Sequence, residues 1–256
     1  MYDRSLVPLI FQHYAEDMTR RVAALAPSRV LETAAGTGVV TRELSRVLPA
    51  GVELVATDLN QQMLDRAAVV GTDGPVRWQQ ADAMELPFDD SSFDVVVCQF
   101  GVMFFPDKAK AYAEARRVLR HGGAFVFNVW DGLADNDFAR LVEESLATVY
   151  PQDPPDFIGR IPHGYHDRAA ITADLMSAGF TVAPSFETVV HSSRAASALE
   201  AATAFCQGTP VRNTIESHPG ATLAEATAAC AAAIAERCGD GPVEGKIQAQ
   251  VVLVRS

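Results

Sequence analysis

The chain has 256 residues, 48% of them hydrophobic, which is enough to bury one large core in a single α/β domain with local additions. Its 32 acidic and 21 basic residues leave a formal charge of -11, which argues against a nucleic-acid groove, because phosphate binding needs clustered Lys and Arg. The nearest such cluster, Arg116, Arg117 and Arg120, reads as the solvated end of a helix. No apolar run approaches the roughly 20 residues that span a bilayer. The stretch Met1 to Ile10 contains Asp3 and Pro8 rather than a basic region followed by an apolar one, so a cytoplasmic protein is expected. Cys98, Cys206, Cys230 and Cys238 show neither a Cys-x-x-Cys pair nor a His cluster at zinc spacing; they read as reduced thiols, and no metal site is expected.

From Ser5 to Leu25, the apolar positions Ile10, Tyr14, Met18, Val22 and Leu25 predict a helix that ends before Pro27. Short apolar runs then alternate with helical patterns. Arg29 to Thr33, Glu53 to Thr57, Val76 to Gln80, Phe93 to Cys98 and Ala124 to Trp130 are predicted strands, apolar nearly throughout, as suits a parallel sheet covered on both faces. Between them, Val40, Leu44, Val47 and Leu48 form one helical face. Asn60 caps a helix with Met63, Ala67 and Val70 inward, and Asp107 caps one with Tyr112, Ala115 and Leu119 inward.

Residues 131 to 166 break the alternation with Pro151, Pro154, Pro155 and Pro162, and predict a helix near 136 to 149 followed by an irregular loop. Asp167 caps a helix with Ile171, Leu175 and Ala178 inward, stopped by Gly179, and Phe180 to His191 is a predicted sixth strand. Two alanine-rich helices, about Ala195 to Gln207 and Leu223 to Arg237, precede a last strand, Lys246 to Arg255.

The chemistry concentrates where the first strand runs into Glu32-Thr33-Ala34-Ala35-Gly36-Thr37-Gly38. Gly36 and Gly38 remove side chains where a ligand approaches backbone, and N–H groups at the helix start offer polarity. A nicotinamide-binding turn would carry a third glycine where Thr41 stands. Acids end the next strands as well: Asp58 follows the second and Asp82 the third. In an open parallel sheet the C-terminal strand ends meet at one rim, so Glu32, Asp58 and Asp82 are expected to face one crevice. There a carboxylate after the second strand can accept from ribose hydroxyls, one after the third from an adenine amino group, and one beside the glycine turn can meet an ammonium.

These residues resemble the class I S-adenosylmethionine-dependent methyltransferases, especially the broad group that includes the ubiquinone/menaquinone-biosynthesis-like enzymes. The resemblance covers about residues 28 to 130: Glu32 to Gly38, Thr57 to Leu64, Asp82 to Phe88, Phe93 to Val96, and Val118 to Gly123. It implies a doubly wound, seven-stranded, mostly parallel Rossmann-like sheet with its last strand antiparallel. It implies as well an N-terminal lid helix over 1–27, a cofactor core over 28–130, a helical lid insertion over 131–166, and acceptor-side helices within 167–256. For the cofactor, it implies that Glu32, Thr33, Ala34, Ala35, Gly36 and Gly38 surround the methionine part and that Asp58 holds the ribose. Leu59 and Met63 would pack near the adenine, Asp82, Ala83 and Met84 would read its edge, and Gln99 and Phe100 would lie near the reacting centre. Two departures stand out: Glu32-Thr33-Ala34 replaces the usual Asp-x-Gly, and His121 stands where Pro is common.

The implied reaction is in-line methyl transfer to a small molecule, governed mainly by orientation and leaving S-adenosylhomocysteine. A base is needed only when the acceptor must lose a proton; His163 and His166 are the candidates, or else a turn and a helix-flanking residue. Tyr14 reads either as a cofactor contact or as core, and His13 beside it as an acceptor contact. Phe104 and Trp130 are candidate acceptor walls. Polyketide, quinone, sterol-like, amine and carboxylate acceptors all satisfy the sequence. The competing expectations are a nicotinamide-dependent oxidoreductase on a similar sheet and a protein that binds S-adenosylmethionine without turnover.

Overall fold

The computed structural model describes residues 2–256. They fall into two compact units. A sheet unit comprises residues 14–129, 166–188 and 250–256; a helical unit comprises the described residues up to His13 together with 130–165 and 189–249.

A π-helical segment, Tyr2–Phe11, with more residues per turn than an α-helix, precedes α1 (Gln12–Ala24). The single helix expected from the spacing is therefore in two pieces. Pro8, which has no N–H to give, lies in the first of them. Ile10, Tyr14, Met18 and Val22 are buried as the periodicity predicts.

The alternating core follows: β1 (Arg29–Glu32), α2 (Val39–Val47), β2 (Glu53–Asp58), α3 (Gln61–Val70), β3 (Arg77–Gln80), β4 (Phe93–Gln99), α4 (Lys108–Val118) and β5 (Leu119–Trp130). Pairing is parallel between β3 and β2, β2 and β1, β1 and β4, and β4 and β5, with Glu32 opposite Ala56, Asp58 opposite Gln80 and Gln99 opposite Asn128. The next elements are α5 (Asp137–Val149), α6 (Phe157–Arg160), α7 (Arg168–Ser177), β6 (Ser185–Ala195), α8 (Ala198–Gly208), α9 (Val211–Ser217), α10 (Leu223–Cys238) and β7 (Val243–Arg255).

Among the described residues, the seven strands form one sheet in the order β3-β2-β1-β4-β5-β7-β6. Gly122 pairs with Ser256 whereas Asp131 pairs with Gln248, so β7 runs antiparallel to β5. The order reverses direction between β1 and β4, which opens a crevice at the C-terminal ends of these strands.

Capping chemistry sets several helix starts. Asn60, Asp107 and Asp167 each accept a backbone N–H of the following turn, and Thr222 and Glu225 form a reciprocal capping box. Two expected burials are corrected. On α3 the inward residues are Leu64 and Ala67, while Val70 is exposed, and on α2 the helix ends at Val47, which is exposed; Leu119 is buried as expected but opens β5 instead of closing α4. Strand β6 starts later than predicted because Phe180 closes α7: its N–H returns to the Leu175 carbonyl after Gly179, and its ring is buried. Helices α6 and α9 lie in stretches to which the periodicity assigned no element.

The two units are filled differently. In the sheet unit, Phe125 packs on Tyr112, Phe127 and Phe180 with ring centroids 5.5, 4.8 and 6.4 Å away. In the helical unit, α8 and α10 bury Ala201, Ala202, Ala204, Ala226, Cys206 and Cys230, short side chains that let helix backbones approach closely.

Candidate functional site

The three acids stand at the C-terminal ends of adjacent parallel strands. Glu32 closes β1 and Asp58 closes β2, two residues beyond Glu32's partner Ala56; Asp82 lies two residues beyond Gln80, the partner of Asp58. Hydrogen bonds tie these ends together. The Asp58 carboxylate accepts the Gly36 N–H through Oδ2 and the Asn60 N–H through Oδ1, both at 2.8 Å, so one side chain holds the glycine turn and the start of α3. The Ala81 N–H donates to the Asp58 carbonyl at 3.1 Å, the Ala35 N–H donates to the Thr57 carbonyl at 2.9 Å, and the Thr57 hydroxyl donates to the Glu32 carbonyl at 3.0 Å. Asp82 turns its Oδ1 to the Met84 N–H at 2.8 Å.

Glu32 is the electrostatic centre of the rim. It is 2% exposed, and burial pushes its carboxyl up to about 8; the Thr41 hydroxyl, donating at 2.5 Å, and the nearby Arg42 oppose that rise, while Asp58 adds to it. Thr41, the residue that replaces a third glycine, therefore serves as the acid's hydrogen-bond donor. Next to it, the Thr37 hydroxyl is buried with no partner among the described residues.

The two glycines of the turn do different things. At Gly36, with φ of 56°, an added Cβ would meet nothing within 4 Å, so the space above the turn is open. At Gly38, with φ of 80°, a Cβ would lie 2.9 Å from the Trp78 ring and 3.1 Å from the Ala67 methyl. Gly38 is thus glycine for packing, which corrects the expectation that both glycines admit a ligand. The N–H groups of Gly36 and Gly38 are also already donated, to Asp58 and to the Ala35 carbonyl, so they are not the free donors anticipated there.

The other predicted residues sort by unit. In the sheet unit, Thr33 and Ala35 are buried in the turn; Leu59 is exposed at the rim, and Met63, Ala83 and Met84 are half-buried beside it. Gln99 ends β4, and Phe100 packs edge-to-face on Tyr14 at 5.2 Å, with both rings buried. Phe104 is exposed on the short turn after β4, and His166 is exposed just before the Asp167 cap. In the helical unit, Trp130 lies between Phe11 and His163, each with its ring 6.0 Å away, and the His13 ring sits against His191. His163 is buried, and its Nδ1 is 2.8 Å from the Asp131 carbonyl. A carbonyl only accepts, so that contact places a proton on Nδ1.

Sequence reasoning missed Asn128. Fully buried in β5, it accepts the Phe100 N–H through Oδ1 at 2.9 Å. An Asn inside an otherwise apolar strand, Ala124 to Trp130, is the signal that could have found it.

Residues 31–127 match the family model described as a methyltransferase domain. A ubiquinone/menaquinone biosynthesis C-methyltransferase from Idiomarina loihiensis is 40% identical over 126 residues, 48% of this chain and 47% of that protein. A demethylmenaquinone methyltransferase from Deinococcus radiodurans is 41% identical over 140 residues, 52% of this chain and 58% of that one. The chain thus spans about half the length of the curated relatives it matches. Among solved structures, a putative methyltransferase from Bacillus halodurans aligns with a TM-score of 0.60 at 19% identity, over 94% of this chain and 97% of that one. The nicotinamide reading falls with these matches and with Thr41 bound to Glu32. Residues 31–127 thus carry the match to a methyltransferase domain, and the seven-stranded sheet around them is the fold shared with the solved structure from Bacillus halodurans.

Proposed function

We propose that the sheet unit binds S-adenosylmethionine along the Glu32–Asp58–Asp82 rim and that the protein transfers its methyl group to a small-molecule acceptor in the cytoplasm. The observation that carries this reading is the row of three acids on adjacent strand ends, with Asp58 bonded to Gly36. The residues present suit the group. The open space above Gly36 leaves room for its amino-acid end, and Glu32, a buried carboxyl pushed up by desolvation, gains from an ammonium nearby. Each Asp58 oxygen accepts one backbone N–H and keeps capacity for a ribose hydroxyl. Asp82, Ala83 and Met84 would read the adenine edge, with Leu59 and Met63 against its face.

When bound, the cofactor supplies a methyl group already activated on a sulfonium sulfur. The chain then has to orient and to exclude water, and alignment of this kind supplies roughly 7–11 kcal/mol of barrier lowering. Gln99 and Phe100 are the residues proposed nearest the transferring group. For an acceptor that must lose a proton, His163 and His166 are the candidate bases; His166→Ala at wild-type turnover would remove His166 from that role. The names of the curated relatives favour a carbon of a quinone-class acceptor, and the family match ends at residue 127, before the helices that would contact it.

Incubation with the methyl-labelled cofactor and a panel of quinol, phenol, amine, carboxylate and thiol acceptors tests this reading. Label transfer to one class supports it. Tight cofactor binding without transfer to any class would favour the non-catalytic alternative.

A further inference from the structure

Two strained turns press together at the C-terminal ends of β1 and β4. Ala34 takes φ of 53°, and Phe100, buried, takes φ of 50°. Both lie in the left-handed region, which L side chains enter only when the surroundings hold them there. Between the two sits Gly101. A Cβ at that position would lie 2.5 Å from the Ala34 methyl and 2.7 Å from the Cys98 sulfur. The Ala34 methyl is thus accommodated by the absence of a side chain at Gly101.

Asn128 is what holds Phe100 in place. It lies opposite Gln99 in the β4–β5 pairing, and its Oδ1 accepts the Phe100 N–H at 2.9 Å, with its own carbonyl at 3.3 Å from the same donor. An N–H facing the amide fixes its orientation, because only the oxygen can accept. Nδ2 is thereby committed elsewhere, and it is buried with no acceptor among the described residues. A buried donor left unpaired is unfavourable, so the bond to Phe100 is kept at a free-energy cost.

The geometry points to Asn128 as a positioning residue for the cofactor. By fixing Phe100 in its left-handed conformation, Asn128 seats Gly101 against Ala34 and so sets the turn that receives the amino-acid end of S-adenosylmethionine. Asn128 touches neither cofactor nor acceptor; it acts through Phe100 and Gly101. This inference rests on the cofactor reading proposed above.

Two variants separate positioning from bulk stability. Asn128→Leu keeps the volume and removes the acceptor, whereas Asn128→Asp keeps an acceptor facing Phe100. Each is titrated calorimetrically with S-adenosylhomocysteine at a temperature where circular dichroism shows it folded. Asn128→Leu is expected to bind at least about ten-fold more weakly and Asn128→Asp to stay within about three-fold of wild type. Wild-type affinity in folded Asn128→Leu, or equal losses in both variants, would overturn the inference. Should Asn128→Leu fail to fold, Gly101→Ala probes the same contact. It is expected to weaken binding by about ten-fold or more, with part recovered in Ala34→Gly/Gly101→Ala, and wild-type affinity in Gly101→Ala would overturn the inference. A wild-type protein that itself binds no S-adenosylhomocysteine is a different result, which sinks the cofactor reading beneath it.

Discussion

The sheet unit and the helical unit are built from different side chains, and the contrast explains why one was easier to interpret than the other. The sheet unit buries aromatic and β-branched residues between parallel strands whose ends are tied by backbone hydrogen bonds, so its polar rim residues have few places to go. The helical unit packs alanine and cysteine between α8 and α10, and its polar residues His163, Asp131 and Gln248 are satisfied within the unit. Chemistry is legible where strand ends fix direction; it is much less so where small residues on helices permit many arrangements.

If this contrast is right, the two cores fail in opposite ways. Phe125→Ala should empty the centre of an aromatic cluster and cost about 3–5 kcal/mol, read as a lower midpoint in urea unfolding. Ala202→Leu should overpack the buried face of α8 and cost about 1–3 kcal/mol by the same measurement, whereas leucine at an exposed alanine would be nearly neutral. A harmless Ala202→Leu would show the helical core to be loosely filled and would erase the distinction.

The smallest effect is the most specific to the rim. Because burial lifts the Glu32 carboxyl from its ordinary 4.5 to about 8, the folded protein holds a proton that the unfolded chain has released across that window. The stability this proton contributes is full below about pH 4.5 and falls as pH rises towards 8. Glu32→Gln should therefore flatten the stability-versus-pH curve between those values. An ammonium brought beside Glu32 near pH 7 should also expel its proton. Calorimetric titrations in buffers of different ionisation enthalpy should then register proton release for the wild type and none for Glu32→Gln.

Much of the fold was legible because local signals agreed. Asn60, Asp107 and Asp167 each precede a helical apolar pattern and each caps a helix. Rim acids could be assigned from strand ends alone, since a parallel sheet places those ends together. What escaped depended on contacts distant in sequence. Gly38 is glycine because Trp78, forty residues later, lies where its side chain would go, and Gly101 is glycine because of Ala34. Nothing near His163 indicates that its Nδ1 meets the Asp131 carbonyl, 32 residues away.

The most direct test is a calorimetric titration of S-adenosylhomocysteine into the wild-type protein and into Asp58→Ala, both below their unfolding temperatures. Saturable one-to-one binding by the wild type, weakened by about 1.5–3 kcal/mol in Asp58→Ala, is the predicted result. Equal affinity in the two proteins would contradict the assignment of Asp58, and no binding by the wild type would contradict the rim as a cofactor site.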